Sequence, residues 1–278
     1  MSKTSLNING SLLDISSPIV MGIINLTADS FYDGGKIKTD KDLLIKAEKM
    51  LAEGATILDV GAYSTRPGAA NIPLHIETQN AVNGIKNILV EFPDAIISVD
   101  TFRAQVAKQA IENGASIIND VSGGNLDSEM FDTVANLDVP YIIMHMRGNP
   151  KTMSQLTQYD NLISEIIDYF NRKIKLLSSK GVSDVIIDPG FGFAKTIEQN
   201  FQLLNGLDLL SILESPILCG VSRKSMIWKS LGTTADEALN GTTVLNNTCL
   251  MKGASILRVH DVKEAMETIK LYELITKS

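Results

Sequence analysis

EGATILDV, residues 53–60, returns three times along the chain in altered form: ENGASIIND at 112–120, KGVSDVIID at 180–188 and KGASILRV at 252–259. Each reads as the tail of a helix, then glycine, a small or β-branched residue, and an apolar run ending on a polar group. Glycine suits the left-handed position that terminates a helix, and Val/Ile runs suit strands buried on both faces. Four such junctions imply βαβ repetition and a parallel sheet.

Four further apolar runs fill the gaps, PIVMGIIN (18–25), AIISVD (95–100), PYIIMH (140–145) and PILCGV (216–221), giving eight expected strands. Helical periodicity lies between them, as in DLLIKAEKMLAE (42–53), RAQVAKQAIEN (103–113) and NLISEIIDYFNRKIKLLSSK (161–180). A helix is also expected from Thr234 to Lys252, opened by a capping box of Thr234 with Glu237 and stopped by Gly253. Eight units in 278 residues is about 35 residues each, the proportion of a (β/α)8 TIM barrel. No composition shift marks a linker, so residues 1–278 read as one domain. Ahead of the first strand, LNINGSLLDI (6–15) alternates around Asn9-Gly10, the signature of a β-hairpin, expected to cover the bottom of the barrel.

Apolar residues make up 44% of the chain and aromatics 5%, so aliphatic side chains must fill the interior. A net charge of −7 argues against a nucleic-acid binder, though a local cluster of Lys and Arg can still hold a small anion. Cys219 and Cys249 are the only cysteines and have no metal-type spacing, as expected of reduced core thiols. No signal-peptide pattern opens the sequence, and no run reaches the ~18 apolar residues of a membrane span. A cytoplasmic protein is expected, with no membrane and no nucleic acid among its partners.

In a barrel of this kind the chemistry collects at the carboxyl ends of the strands. Those ends read Asn25; Ser64-Thr65-Arg66 just past Asp59; Asp100; Asn119-Asp120; Met144-His145; Asp188; Ser222-Arg223-Lys224; and Arg258 with His260. Taken singly, each is an ordinary turn former, helix cap or ion-pair member. Together they form a ring of charge where water is scarce, which calls for a ligand. Lys224, Arg258, His260 and Thr65 offer donors suited to phosphate. Asp100, Asn119 and Asp188 offer acceptors suited to the N–H edge of a heterocycle. DPGFGFAKT (188–196) ends like a phosphate loop but lacks its glycines, and neither a dinucleotide fingerprint nor a Gly-x-Ser-x-Gly elbow occurs.

With these motifs in view, the sequence closely resembles the dihydropteroate synthase family of pterin-binding TIM barrels. The match runs from about Ile19 to Val262 through MGIINLTADSFYDGG, ILDVGAYSTRPGA, SVDTFR, IINDVSGG, MHMRGNP, DPGFGF, GVSRKS and RVHDV, in the family's order. The resemblance implies that p-aminobenzoate displaces pyrophosphate from 6-hydroxymethyl-7,8-dihydropterin diphosphate by a dissociative, SN1-like route, assisted by Mg²⁺. It implies Asp100, Asn119, Met144, Asp188, Gly220 and Lys224 for the pterin, and Asn25, Thr65, Arg258 and His260 for the diphosphate, with Asn25 also on the Mg²⁺. Phe31, Thr65, Arg66, Pro67, Phe193 and Ser225 would surround p-aminobenzoate. Asp100, Lys224, Arg258 and His260 carry the catalysis in this reading, so Asp100→Asn and Arg258→Ala should each slow turnover without unfolding the barrel. The resemblance further implies loops at about 27–38 and 62–73 that close over substrate, a homodimer, and competition by sulfonamides.

Departures from the family pattern are Leu26, Ala28, Ala62-Tyr63, Ala194 and Gln199, none of which carries a charge or metal role. A pterin-dependent methyltransferase of the same barrel type is the nearest alternative, but it needs no diphosphate site. A non-catalytic pterin-binding paralogue is the other.

Overall fold

The computed structural model describes residues 3–26, 39–64 and 71–276. The chain opens with an antiparallel pair, β1 (Ser5–Ile8) and β2 (Ser11–Asp14), and Asn9 and Gly10 both take positive φ in the turn between them. Eight parallel strands follow in chain order. They are β3 (Ile19–Asn25), β4 (Ile57–Gly61), β5 (Ile96–Asp100), β6 (Ile117–Asp120), β7 (Tyr141–Met144), β8 (Val185–Asp188), β9 (Leu218–Cys219) and β10 (Ile256–Val259). Each pairs with its neighbour in sequence, and β10 returns to pair with β3. The ring closes between β8 and β9 through one bridge, Ile187 with Ile217. The expected fold is therefore present, a (β/α)8 barrel preceded by a hairpin.

The helices lie outside the ring. They are α1 (Asp40–Ala52), α2 (Leu74–Glu91), α3 (Ala104–Glu112), α4 (Met130–Leu137), α5 (Leu162–Ser179), α6 (Ile197–Asn205), α7 (Ser225–Leu231), α8 (Leu239–Met251) and α9 (Val262–Thr276). None of the described helices is long and apolar enough to cross a membrane.

All four repeated junctions close in the same way. Gly54, Gly114, Gly181 and Gly253 have φ of 103°, 107°, 89° and 93°. The residue after each donates its N–H to the carbonyl five positions back: Ala55 to Met50, Ala115 to Ala110, Val182 to Leu177 and Ala254 to Cys249. That is the 6→1 bond of a Schellman stop, and a Cβ at φ near 100° would strain it.

Two sequence expectations shift. The run 216–221 forms a strand of only two residues, Leu218–Cys219, with Ile217 adding the single bridge to β8. The last capping box forms only by half and starts no helix. Thr234 does bond the Glu237 carboxylate, but α8 begins at Leu239. Arg223 Nη1 claims the carbonyls of Ala235 and Asp236 at 2.9 and 2.6 Å, the acceptors that the next helical turn would need.

Inside the barrel, strand alternation builds tiers. The lowest is apolar, with Met21, Ile57, Ile117, Ile142, Ile186 and Ile256 in one cluster. Leu6, Ile8 and Ile15 of the hairpin region join that cluster and are buried, so the hairpin plugs the bottom as expected. Cys219 of β9 and Cys249 of α8 are free, buried thiols.

Candidate active site

Two residues up each strand is one tier up the barrel, and there the chemistry changes. Ile57 gives way to Asp59, Ile117 to Asn119, Ile142 to Met144, Ile186 to Asp188, Leu218 to Gly220 and Ile256 to Arg258. Asp100 and Asn25 stand another step higher on their own strands, and His260 follows the end of β10. Sequence periodicity thus converts an aliphatic floor into a polar chamber that opens at the carboxyl ends of the strands.

The centre of the chamber is Arg258. Its Nε donates to Asp59 Oδ2 at 2.6 Å and its Nη2 to Asp100 Oδ2 at 2.7 Å. Asn119 Nδ2 donates to the same Asp59 oxygen at 3.0 Å. Asp59 is fully buried, and its other oxygen has no partner among the described residues. Burial opposes the guanidinium charge, but the two carboxylates more than offset it and hold its pKa above the usual arginine value. Burial pushes the Asp100 carboxyl upward; Arg258 resists that shift, while Asp59 and Asp120 add to it. Two carboxylates share one cation, with Asp100 pushed up to about 7, so the ionised form of Asp100 favours an incoming positive charge.

Asp188 and Lys224 line the adjoining wall. Gly190 N–H donates to Asp188 Oδ1 at 2.8 Å, and Lys224 Nζ donates to the carbonyl of Phe191. Burial raises the Asp188 pKa against the pull of Lys224. Burial likewise lowers Lys224 to about 8 against the pull of Asp188. Each is thus poised to gain a hydrogen-bonding ligand. Gly220 lies beside them: a Cβ there would make ordinary contact, 3.9 Å from both Lys224 Nζ and Arg258 Cβ. Met144 forms an apolar wall with Val121, Met146, Met153 and Ala194, and Phe193 packs against it. The Phe193 ring lies 5.0 Å from Lys224 Nζ.

Among the sequence-predicted residues, Asp100, Asn119, Met144, Asp188, Gly220, Lys224 and Arg258 share this chamber. His260 and Asn25 stand at its rim. Ser225 begins α7 immediately after Lys224. Phe31, Thr65, Arg66 and Pro67 lie outside the described residues, as do Ala28 and all of the first loop expected to close. The two chemical halves read from the sequence are not separate: Arg258, assigned with the phosphate donors, reaches into the carboxylates.

Two members of the strand-end ring turn the other way. Asp120 faces the helices, accepting from Tyr141 Oη at 2.6 Å and from Ser122 and Gly124 N–H at 2.7 Å each. His145 packs edge-on to Tyr169 and accepts from Lys195 Nζ through Nδ1 at 3.0 Å. Burial, with the nearby charges of Lys195 and Arg147, drives the His145 pKa down to about 2, so it is a neutral acceptor.

Sequence reasoning assigned no role to Asp59. A signal existed: a carboxylate inside ILDVG, a strand buried on both faces, must have a buried cation partner. Tyr63, a departure from the family pattern, is held aside, edge-on to Phe102 at 5.0 Å with its hydroxyl 3.2 Å from Asn71 Oδ1. Gln199 forms a capping box with Thr196 at the start of α6.

Comparison with known proteins agrees with this geometry. A family profile described as "Pterin binding enzyme" matches residues 21–260. Dihydropteroate synthase of Escherichia coli K12 is 40% identical over 266 residues, covering 95% of this chain and 94% of that protein. The structure of Yersinia pestis dihydropteroate synthase with a sulfonamide drug superposes with a TM-score of 0.95 at 37% identity, covering 99% of this chain and 100% of the other. The Xanthomonas albilineans synthase with 4-aminobenzoic acid gives 0.91 at 33% identity, covering 100% of both chains. The chain belongs to the pterin-binding enzyme family and, within it, to the dihydropteroate synthases.

Proposed function

We propose that this chain joins the amine of p-aminobenzoate to the methylene of 6-hydroxymethyl-7,8-dihydropterin diphosphate, releasing pyrophosphate and forming 7,8-dihydropteroate. The observation that carries this reading is the Asp59–Arg258–Asp100 cluster beside Asp188 and Lys224. Carboxylates and an amide face the space that an N–H-rich bicycle would fill, while cations stand where an anionic tail would leave. Asp188, Asn119 and Lys224 bind and orient the ring edge. Among the described residues, Arg258 Nη1 has no hydrogen-bond partner, so it can donate to a diphosphate oxygen while Nε and Nη2 stay anchored. As the C–O bond lengthens, positive charge develops on the methylene, and the ionised Asp100 carboxylate beside it lowers the barrier to a dissociative displacement.

Mg²⁺ typically keeps most of its water and takes one or two protein oxygens plus phosphate. Asn25 offers an amide oxygen at the rim, and among the described residues no group of three His, Cys, Asp or Glu forms a dedicated cage. That donor set fits an ion carried in with the diphosphate and touched by Asn25. When bound, it supplies charge neutralisation to the leaving group.

Sulfonamides, as mimics of p-aminobenzoate, compete for the wall that includes Phe193 and Ser225. The enzyme works as a homodimer; exposed apolar side chains on neighbouring helices, Val244 and Met251 of α8 with Leu271 and Leu274 of α9, support that assembly. The two free thiols are consistent with the reducing cytoplasm. The deciding experiment is a pyrophosphate-release assay with purified protein, Mg²⁺ and the pterin diphosphate. Release that requires p-aminobenzoate supports the reading, and no release with both substrates bound by calorimetry refutes it.

A further inference from the structure

Ser222 follows β9 and is 5% exposed. Its Oγ accepts the backbone N–H of His260 at 3.2 Å and lies 3.1 Å from the Nδ1 of the same residue. A serine hydroxyl has a single hydrogen, and among the described residues its one acceptor within reach is that Nδ1. If Nδ1 carried a proton instead, the Ser222 hydroxyl hydrogen would be buried with nothing to receive it, a loss that folded proteins avoid. We infer that Ser222 is a positioning residue that holds neutral His260 in its Nε2–H tautomer, leaving Nε2–H as the ring's donor to the departing diphosphate.

The assignment rests on the proposed reaction for its purpose, but not for its geometry. A second tie runs beside the first. Arg223 Nε and Nη2 bond Asp261 Oδ2 and Oδ1 at 2.8 and 2.9 Å, joining the same two loops as a fork. Arg223 N–H also donates to Thr242 Oγ1 at 3.0 Å. Removing the Ser222 hydroxyl therefore removes the contact to Nδ1 without freeing the loops, so tautomer and fold separate experimentally.

The chain has three histidines, which makes the imidazole nitrogens tractable by long-range ¹H–¹⁵N NMR of the full protein. At mildly alkaline pH, His260 should show a bare Nδ1 and a protonated Nε2. Ser222→Ala should move it toward a tautomer mixture, weaken binding of inorganic pyrophosphate with Mg²⁺, and lower kcat about tenfold, the rate equivalent of one hydrogen bond. KM for p-aminobenzoate should barely change. Ser222→Thr, which restores the hydroxyl, should recover the tautomer. A protonated Nδ1 in the unmodified protein, or an unchanged tautomer in Ser222→Ala, overturns the inference. Both spectra are recorded without substrate, so this outcome stands whether or not pyrophosphate release is observed.

Discussion

Arg258 has a structural duty as well as a chemical one. It is the ion partner of a fully buried carboxylate, Asp59, and of Asp100, so removing it strands two acids in the barrel. The sequence alone suggested that Arg258→Ala would spare the fold. The geometry says otherwise, since breaking a buried pair typically costs about 3–5 kcal/mol. Urea denaturation of Arg258→Ala should show a loss on that scale together with loss of turnover. Asp100→Asn is the cleaner probe, because the amide oxygen can still accept from Arg258. Its turnover should fall roughly 10²–10³-fold with little change in melting temperature; a near-normal rate would remove Asp100 from the mechanism. The ring of polar strand ends was legible residue by residue, but the direction of each side chain was not. Asn119 faces the chamber and Asp120 the helices because alternation sends neighbours to opposite faces. A list of strand-end residues does not contain that parity until the register is known.

Among the elements, each motif supplies one residue to the chamber and another to hold its loop. DPGFGFAKT gives Asp188 to the site and Lys195 to the scaffold. Lys195 is buried, which lowers its pKa to about 7, and its Nζ bonds His145 Nδ1, Gly190 O and Phe193 O, each at 3.0 Å. IINDVSGG gives Asn119 to the site and Asp120 to the loop. Tyr141→Phe deletes one donor to that buried carboxylate and should cost about 1.5–3 kcal/mol, read as a lower urea midpoint at unchanged slope. The four helix stops were readable because glycine, left-handed backbone and a small following residue are local facts. The start of α8 was not, because the carbonyls that would continue the turn are taken by Arg223, from an earlier segment of the chain. Local capping chemistry at Thr234 was correctly placed and then overruled by a tertiary contact.

For the molecule as a whole, stability is built around the barrel axis. The hairpin contributes Leu6, fully buried against the apolar floor, and Leu6→Ala should cost about 2–5 kcal/mol. A midpoint unchanged from that of the parent would mean that the plug adds nothing to the barrel. Acid should act through His145. Its pKa falls from 6.5 to about 2 on folding, so below pH 6.5 the unfolded chain takes a proton that the folded one refuses. The stability gained by keeping it neutral is whole above 6.5 and drains as pH falls toward 2, at up to about 1.4 kcal/mol per unit. His145→Gln should flatten that decline between about pH 6.5 and 5, and parallel slopes for the two proteins would exclude His145 as its source.

Sealing both sulfhydryls in the interior has a practical corollary. Cys219 lies in the wall of the barrel and Cys249 in the helix packed outside it, and burial pushes the Cys219 thiol well above its ordinary pKa. A maleimide should therefore find no partner on the intact protein. One cysteine engineered at the rim would be a unique handle for a fluorophore, and slow labelling at the native pair would time the opening of the core.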